Sequence, residues 1–516
     1  MNRLQSYYEQ LQLPIKSLFF ASTIITIGAI IANPYLNNIL KLDNQFLVTL
    51  SQLLMTCGGI ILTYFPLYVF MKLLTHEKNE PNIIVTGIIS YLVFITTMLV
   101  LTNSAATESA VVQSFSLEFG KTSFTVYHTG IFGYLSIFLL VRYIYRKTSA
   151  RKNRSNLYYI DFETTKFITA IVGSALIGAI FTYMWPFILE SIDSMMKFIA
   201  EDANNPMSMF AYGALERILA LANLDAIIYR EFWLSATGGT WMNLSGETFF
   251  GDVNIWAAQL KEGVMNSGFG RYTSAYYVIN MFSIPGYLAA ITSIMSNKRA
   301  RNRNIIVLII GILVSMLGGV LFPIEILMLA TSPTLYLFHL FMTSFTYAVL
   351  TGFSVGLGFS FFGNIAAATP GNIIDLIGIS QNAMYFNKII IVILFGVIMF
   401  VGYFAFTRFY FSRIAMDVLN VVNKQSRIDD IIEGFGGIEN IESISSTMTH
   451  IHVELKDRDL LNVSTLHRQG VVRIIESRQG FILSIGTSAF MIQRNINQSI
   501  SKLEISPVIE EGANNV

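Results

Sequence analysis

Charged residues are scarce in this chain: Asp, Glu, Lys and Arg make up 13% of its 516 residues, whereas 53% are hydrophobic. The mean hydropathy of +0.55 is too high for a soluble protein of this length. Basic and acidic residues nearly balance, with a net charge of +1, so no excess of positive charge indicates a nucleic acid partner. The composition predicts an integral membrane protein whose main partner is the lipid bilayer.

Cysteine is almost absent, which excludes two further classes of site. Cys57 is the single cysteine, so one chain can form neither a disulfide nor a cysteine metal site. It lies in the apolar run 53–64, where we expect a buried and inert thiol. A cleavable leader is also not expected, because the first apolar run, 18–32, follows a single Lys16 and precedes no small-residue cleavage site.

Long apolar runs are abundant. A helix needs about 20 residues to cross the hydrocarbon layer, so the long runs predict about ten membrane spans and the shorter ones predict re-entrant or surface-lying segments. The long runs are 17–34, 47–75, 83–102, 129–145, 166–189, 273–295, 304–322, 334–358 and 387–410, and the shorter ones are 207–228 and 361–379.

Basic residues cluster in two loops and at the end of the last span. By the positive-inside rule these segments face the cytoplasm, as does the region that follows them. We therefore predict a multi-pass protein of the cell membrane with a cytoplasmic C-terminal domain. The basic positions are Arg142, Arg146, Lys147, Arg151, Lys152 and Arg154, then Lys298, Arg299, Arg301 and Arg303, and finally Arg408 and Arg413.

The chain after the last span changes character. We divide it into a membrane domain at 1–411, a polar linker at 412–427, a small domain at 428–505 and a disordered tail at 506–516. The hydrophobic pattern of the small domain switches between helical and alternating periods in the order α-β-β-α-β-β-α. This order predicts an α+β sandwich with a mostly antiparallel sheet, whose strands lie at 441–446, 450–455, 471–476 and 481–485 and whose final helix ends near Leu503.

A motif in the small domain carries a family resemblance. Gly436-Gly437-Ile438-Glu439-Asn440-Ile441 is followed by an alternating segment that bends, at an exposed point, around Thr447. This stretch resembles the IIB domain of glucose-type enzymes II of the bacterial phosphotransferase system. In that family a cysteine at the bend is phosphorylated and passes its phosphoryl group to a sugar held by a membrane-embedded IIC domain. Thr447 occupies the cysteine position here.

The membrane domain resembles the IIC domain of the same superfamily over most of its length. The resemblance therefore implies a polytopic α-helical permease fused to a IIB-like domain, and a homodimer formed through the membrane domain. The similar segments occur in the same order as in the family: Phe65-Pro66-Leu67, Met184-Trp185-Pro186-Phe187, Ala211-Tyr212-Gly213, Glu216-Arg217, Gly270-Arg271-Tyr272, Pro323-Ile324-Glu325, Pro333-Thr334-Leu335 and Phe406-Thr407-Arg408-Phe409.

Two sugar-contacting positions of the family are changed. Where the family has a Gly-Leu-His-His sequence this chain has Asn223-Leu224-Asp225-Ala226, and where the family has a carboxylate before proline it has Phe322. Unpaired buried polar groups are costly, so losing both anchors predicts altered or abolished hexose recognition. The resemblance implies Asp225, Phe322, Glu325 and Arg271 as the substrate-binding candidates.

Charges in apolar segments allow two interpretations. Placing a charged side chain in a membrane costs free energy unless the side chain faces a cavity or a partner. Asp225 and Glu325 are therefore either ligand contacts or structural groups. In the structural interpretation Glu216 or Glu231 pairs with a nearby arginine, Asp225 lies at an interface and Glu325 orients its loop. His339 is expected to be a satisfied structural residue.

Phosphoryl transfer through Thr447 is not expected. Its hydroxyl is far less acidic than a thiol, and no base is evident beside it. His450 and His452 replace two arginines of the family and share one face of a strand, but no third ligand lies close in sequence, so no metal site is predicted. No cofactor is expected either.

Two functions remain open on the sequence. The first is a phosphotransferase-type sugar permease whose fused IIB domain is inactive, so that transport is uncoupled from phosphorylation or served by a separate IIB protein. The second is a non-transporting membrane sensor, regulator or receptor. The family's enzymatic activity, transfer of a phosphoryl group from a phosphohistidine protein to a sugar, would require the other phosphotransfer proteins as partners.

Overall fold

The structure is a computed structural model. It describes the chain except residues 1, 41–43, 76–81, 105–116, 120–121, 125–126, 149–161, 265–267, 295–297, 412–423 and 513–516. Two parts of the sequence predictions lie outside the described residues. They are most of the linker at 412–427, which includes Arg413, and the basic residues Arg151, Lys152 and Arg154.

The membrane part is helical. Its helices are Asn2–Ala32, Pro34–Leu40, Gln45–Thr63, Phe65–Leu74, Ile83–Ser104, Gly130–Thr148, Phe162–Glu201, Pro206–Leu221, Asp225–Tyr229, Asp252–Glu262, Arg271–Val278, Ile284–Ile294, Lys298–Gly318, Phe322–Thr331, Pro333–Gly352, Ile373–Ser380 and Phe386–Phe409. Two π-helical segments, Arg230–Leu234 and Ile279–Ser283, continue helices, and two small hairpins pair Leu117–Phe119 with Thr122–Phe124 and Thr240–Met242 with Thr248–Phe250.

Seven helices of the described residues are long and apolar enough to cross a membrane. The predicted count of about ten spans is not confirmed, and several of the predicted apolar runs are broken. The run 47–75 is divided at Tyr64, and the run 304–322 ends at Gly318, before a separate helix begins at Phe322. The shorter runs 207–228 and 361–379 are also interrupted by turns and short helices.

Helix Phe162–Glu201 is the longest element, with 40 residues. Since about 20 residues span the hydrocarbon layer, it must extend well beyond the membrane. The apolar run that was predicted to end at 189 continues as helix to Glu201. The helix therefore passes Pro186, which lies in its interior, without ending there.

Cys57 is exposed and not buried as the sequence predicted. It lies on helix Gln45–Thr63, in which only a minority of residues are buried. In a membrane span the outward face contacts lipid, so an apolar run does not indicate burial inside the protein.

The C-terminal region has the predicted order of elements. Its helices are Lys424–Gly434, Val463–Arg468 and Ala489–Gly512, and its strands are Ile441–Ser446, His450–Leu455, Arg473–Ser477 and Gly480–Ser484. The four strands form one antiparallel sheet in the spatial order first, second, fourth, third. The final helix passes the predicted end near Leu503 and covers most of 506–516, which we predicted to be disordered.

This region has a core of its own. Ile431, Leu466 and Ile492 from the three helices pack with Ile451 and Leu483 from the sheet. Alternation along the second strand follows the predicted pattern, since Ile451 and Val453 are buried between half-buried neighbours. The region therefore folds around an apolar layer between one sheet face and its helices.

Candidate functional site

A cavity of about 650 Å³ lies among helix ends of the membrane part. This volume is within the range of small-molecule sites, which is about 300–1,000 Å³. The cavity walls combine aromatic rings with charged side chains. The residues that matter for its chemistry are His128, Arg217, Asp225, Tyr229, Trp233, Tyr276, Phe322 and Glu325.

Two tight turns bring these helix ends together. Asn223 has a left-handed backbone, with φ 56°, between helix Pro206–Leu221 and the short helix that begins at Asp225. Asparagine tolerates this conformation better than most residues. Gly319, with φ 61°, makes the corresponding turn before Phe322, and a Cβ on Gly319 would lie 2.6 Å from the Pro370 carbonyl oxygen. Any side chain there would therefore clash.

Arg217 is the centre of a buried ion-pair network. Its Nη1 lies 2.5 Å from Glu325 Oε1, and its Nη2 donates to the Tyr276 hydroxyl at 2.7 Å. Its own carbonyl accepts a hydrogen bond from Tyr336 at 2.8 Å. Arg217 and Glu325 are both almost fully buried, so the pair compensates charges that would be costly alone.

Glu216 is held by tyrosines on the same network. Tyr276 donates to its Oε1 at 2.5 Å and Tyr347 donates to its Oε2 at 3.1 Å. Arg217 Nη2 is 3.3 Å from the same Oε2. Glu216 is therefore satisfied inside the protein, as the structural interpretation of this residue predicted.

Glu325 also binds a histidine. Its Oε1 lies 2.9 Å from His339 Nε2, and His339 Nδ1 lies 2.9 Å from the Tyr403 hydroxyl. A neutral imidazole with its proton on Nε2 satisfies both bonds, because Nδ1 then accepts from the tyrosine. His339 is thus a satisfied structural residue, as expected. The second oxygen of Glu325 accepts no hydrogen bond from any residue that the structure describes.

An aromatic wall faces these charges. The rings of Tyr229 and Trp233 stack at a centroid distance of 4.1 Å with an interplanar angle of 20°. Phe322 meets Phe65 edge to face at 5.6 Å. Flat aromatic faces beside a few fixed polar groups are typical of small-molecule sites.

Comparison with known proteins identifies the scaffold. The family model "Phosphotransferase system, EIIC" matches residues 9–344. This chain belongs to the EIIC family of the phosphotransferase system. The chain is also similar to the glucose-specific EIICBA component of the phosphotransferase system of Staphylococcus saprophyticus. The two are 24% identical over 538 residues, covering 100% of this chain and 76% of that protein.

The EIIC cavity brings together three of the four predicted substrate contacts. Asp225 begins its short helix at the cavity wall, and Phe322 and Glu325 lie on the first turn of another. Arg271 is not among the described residues that line the cavity, and its side chain donates to the carbonyl of Gly268 in its own turn. Sequence similarity marked Arg271 as part of a motif, which alone does not place it in the EIIC cavity.

Several cavity residues of this EIIC protein were missed. His128, Tyr229, Trp233 and Tyr276 were not among the predicted contacts. One signal was available: Tyr229 and Trp233 are four residues apart and follow Asp225 closely, so they lie on one helix face. Glu231, in contrast, pairs with no arginine among the described residues, and it accepts hydrogen bonds from Ser235 and Thr237.

The C-terminal region of this EIIC protein places Thr447 in the turn between its first two strands. The Thr447 amide donates to the His450 carbonyl at 2.8 Å, and the Thr447 hydroxyl accepts from the His450 amide at 3.1 Å. No imidazole or carboxylate among the described residues hydrogen-bonds to this hydroxyl. The side chain therefore closes the turn.

This turn packs against the membrane part and is not exposed as the sequence predicted. Met448 packs on the apolar core of the membrane helices, where its Sδ lies 3.9 Å from the Tyr287 hydroxyl. Further along the same face, the Phe411 and Phe490 rings meet at 5.5 Å. Burial and the positive charge of Lys16 hold the pKa of His450 below its ordinary value. Among the described residues no group of three His, Cys, Asp or Glu side chains could hold a metal.

Proposed function

We propose that this EIIC protein binds a sugar in the Arg217–Glu325 cavity and moves it across the membrane without phosphorylating it through its own C-terminal region. One observation carries the proposal: two buried nitrogens of the cavity residues, Arg217 Nε and His128 Nδ1, have no hydrogen-bond partner among the described residues. Buried polar atoms are nearly always paired, so a ligand with hydroxyl groups would complete this site.

The remaining groups fit the same class of ligand. Asp225 and the free oxygen of Glu325 can accept hydrogen bonds from hydroxyl groups, and Arg217 and His128 can contribute the complementary nitrogens. Tyr229 and Trp233 provide an aromatic surface for the apolar face of a sugar ring. Family membership supports a sugar as the substrate, and the relative's name makes glucose the first sugar to test.

Several features support the absence of self-phosphorylation. Thr447 stands at the position of the family's phosphorylated cysteine, and its hydroxyl is used to close a turn. A threonine hydroxyl needs an adjacent base to act as a nucleophile. The neighbouring Met448 packs against the membrane part, which places an apolar thioether beside the position where the family transfers a phosphoryl group. The C-terminal region is thus proposed to be an inactive IIB domain.

Binding is tested on the purified chain. Trp233 lies in the cavity wall, so glucose, N-acetylglucosamine and glucosamine titrations are followed by tryptophan fluorescence and by calorimetry. We expect saturable binding of at least one of these sugars. Weaker binding in an Asp225→Asn variant, together with unchanged binding in an Asp193→Asn variant, would support the cavity as the site. Absence of binding by every sugar would contradict the proposal.

The sensor function has one supporting observation. The C-terminal region contacts the membrane part through Met448 and Tyr287, so a change in the membrane helices could be transmitted to it. Sugar binding without any uptake would favour this second candidate. A homodimer, a separate IIB partner and a cytoplasmic C-terminal region stay predictions of the family resemblance and of the positive-inside rule.

A further inference from the structure

A second cavity, of about 710 Å³, lies where the membrane part meets the C-terminal region. Ser293 and Ile294 line this cavity at the end of one membrane helix. Arg408 and Phe411 line it at the end of another. Arg494 and Phe490 belong to the final helix. The edge-to-face contact between Phe411 and Phe490, with an interplanar angle of 78°, joins the two parts of the chain at this point.

The polar side of this junction cavity is positively charged. Arg408 and Arg494 are both exposed, and neither guanidinium group forms a hydrogen bond or an ion pair with a residue that the structure describes. No acidic side chain is among the described residues that line the cavity. Two uncompensated guanidinium groups in one cavity favour an anion, and guanidinium groups match phosphate oxygens well.

The junction cavity also has an apolar lining. Half-buried Ile294 and Met491 contribute to it, together with the buried rings of Phe411 and Phe490. Arg408 lies in the last turn of an apolar helix, the level at which a membrane helix meets lipid headgroups. A free anion would contact only the arginines, whereas an amphiphile would contact the arginines and the apolar side chains.

We propose that the junction cavity binds an anionic phospholipid, with its phosphate at Arg408 and Arg494 and its acyl chains beside Ile294 and Met491. Basic pockets at the ends of membrane helices are suited to such headgroups. The bound lipid would contact both parts of the chain at once and would hold the C-terminal region against the membrane. This role does not depend on sugar binding or on phosphoryl transfer.

The experiment uses the full chain reconstituted in phosphatidylcholine, with and without phosphatidylglycerol. Native mass spectrometry of the protein released from each membrane counts retained phosphatidylglycerol molecules. An Arg408→Gln/Arg494→Gln double variant is compared with Arg473→Gln/Arg478→Gln, which removes two exposed arginines from the same C-terminal region. We expect the first variant to retain about tenfold less phosphatidylglycerol and the second to match the parent.

Inorganic phosphate separates a lipid site from a simple anion site. We expect millimolar phosphate to leave the retained phosphatidylglycerol unchanged. Displacement of the lipid by phosphate, or equal retention by both double variants, would overturn the proposal. Gel filtration and thermal unfolding of the first variant show whether it is folded, and an Arg408→Lys/Arg494→Lys variant that restores most of the retention supports a charge-based site in a folded protein.

Discussion

Arg217 Nη1 lies 2.5 Å from Glu325 Oε1 across the wall of the cavity. The pair joins helix Pro206–Leu221 to helix Phe322–Thr331, which are 108 residues apart in sequence at these positions. Because the same arginine also binds Tyr276, one side chain fixes three elements of the proposed sugar site.

Arg217→Met is expected to destabilise the protein strongly. It removes the positive charge that compensates Glu325 and leaves two buried carboxylates without their cation. Breaking one partner of a buried pair costs about 3–5 kcal/mol. Thermal unfolding in detergent measures the loss. Lys197→Met removes the cation of an exposed pair with Asp193 and is the matched control, with no measurable change expected. Equal unfolding midpoints for both variants would contradict the structural role of Arg217.

Asp225→Asn tests the carboxylate that replaces the family's histidine. Asp225 forms no ion pair with another described residue and lines the cavity, so its charge is available to a ligand. A hydrogen bond to a charged group contributes about 1.5–3 kcal/mol, which predicts about tenfold to hundredfold weaker sugar binding. Calorimetry measures the affinity. Asp193→Asn, at the surface pair with Lys197, should leave the affinity unchanged, and a similar affinity in both variants would exclude Asp225 as a contact.

Phe322→Leu tests the aromatic residue at the family's carboxylate position. The leucine keeps an apolar side chain but loses the edge-to-face contact with Phe65 and any ring stacking on a ligand. An aromatic contact contributes about 0.5–1.5 kcal/mol beyond its buried area, so sugar affinity should fall up to about tenfold. Phe187→Leu, on an exposed position of a membrane helix, is the control. Unchanged affinity in Phe322→Leu would show that the ring does not contact the sugar.

Acid should weaken the C-terminal region and its contact with the membrane part. The pKa of His450 is held below its ordinary value by burial and by Lys16. The unfolded chain then binds more protons than the folded one, so this stability is complete above the ordinary histidine pKa of about 6.5 and decreases as the pH falls towards the folded value. The unfolding midpoint measured from pH 8 to about pH 5 should fall, and less so in Lys16→Gln. Lys261→Gln is the control, and identical pH profiles for all three proteins would contradict this assignment.

The small C-terminal region was the part best predicted from sequence. Its second strand alternates buried and less buried residues, as at Ile451 and Val453, and Gly436 and Gly470 lie at turns, so local pattern and fold agree there. The membrane part was less predictable. An apolar run predicts that a helix is present but does not predict where the helix is interrupted. Asn223 and Gly319, for example, turn the chain inside the predicted runs 207–228 and 304–322.

The candidate site was only partly predicted from sequence, because local motifs identify some of its residues and not others. Asp225, Phe322 and Glu325 could be identified because each lies at a family motif, and all three line the cavity. Arg271 lies at a motif as well, but its side chain donates to the carbonyl of Gly268 and does not line the cavity. Tyr276 contributes its hydroxyl to the site because its helix packs near Arg217, which is distant in sequence. A local sequence pattern does not reveal such a contact.

Transport without phosphorylation is tested most directly by uptake of labelled glucose, N-acetylglucosamine and glucosamine into vesicles that contain the purified chain. The measurement is made with and without phosphoenolpyruvate and the general phosphotransfer proteins, and the sugar inside is separated from sugar phosphate. Our account predicts free sugar inside the vesicles, the same amount in both conditions, and no phosphate bound to the chain. Sugar phosphate formed when only those soluble proteins are added would contradict it.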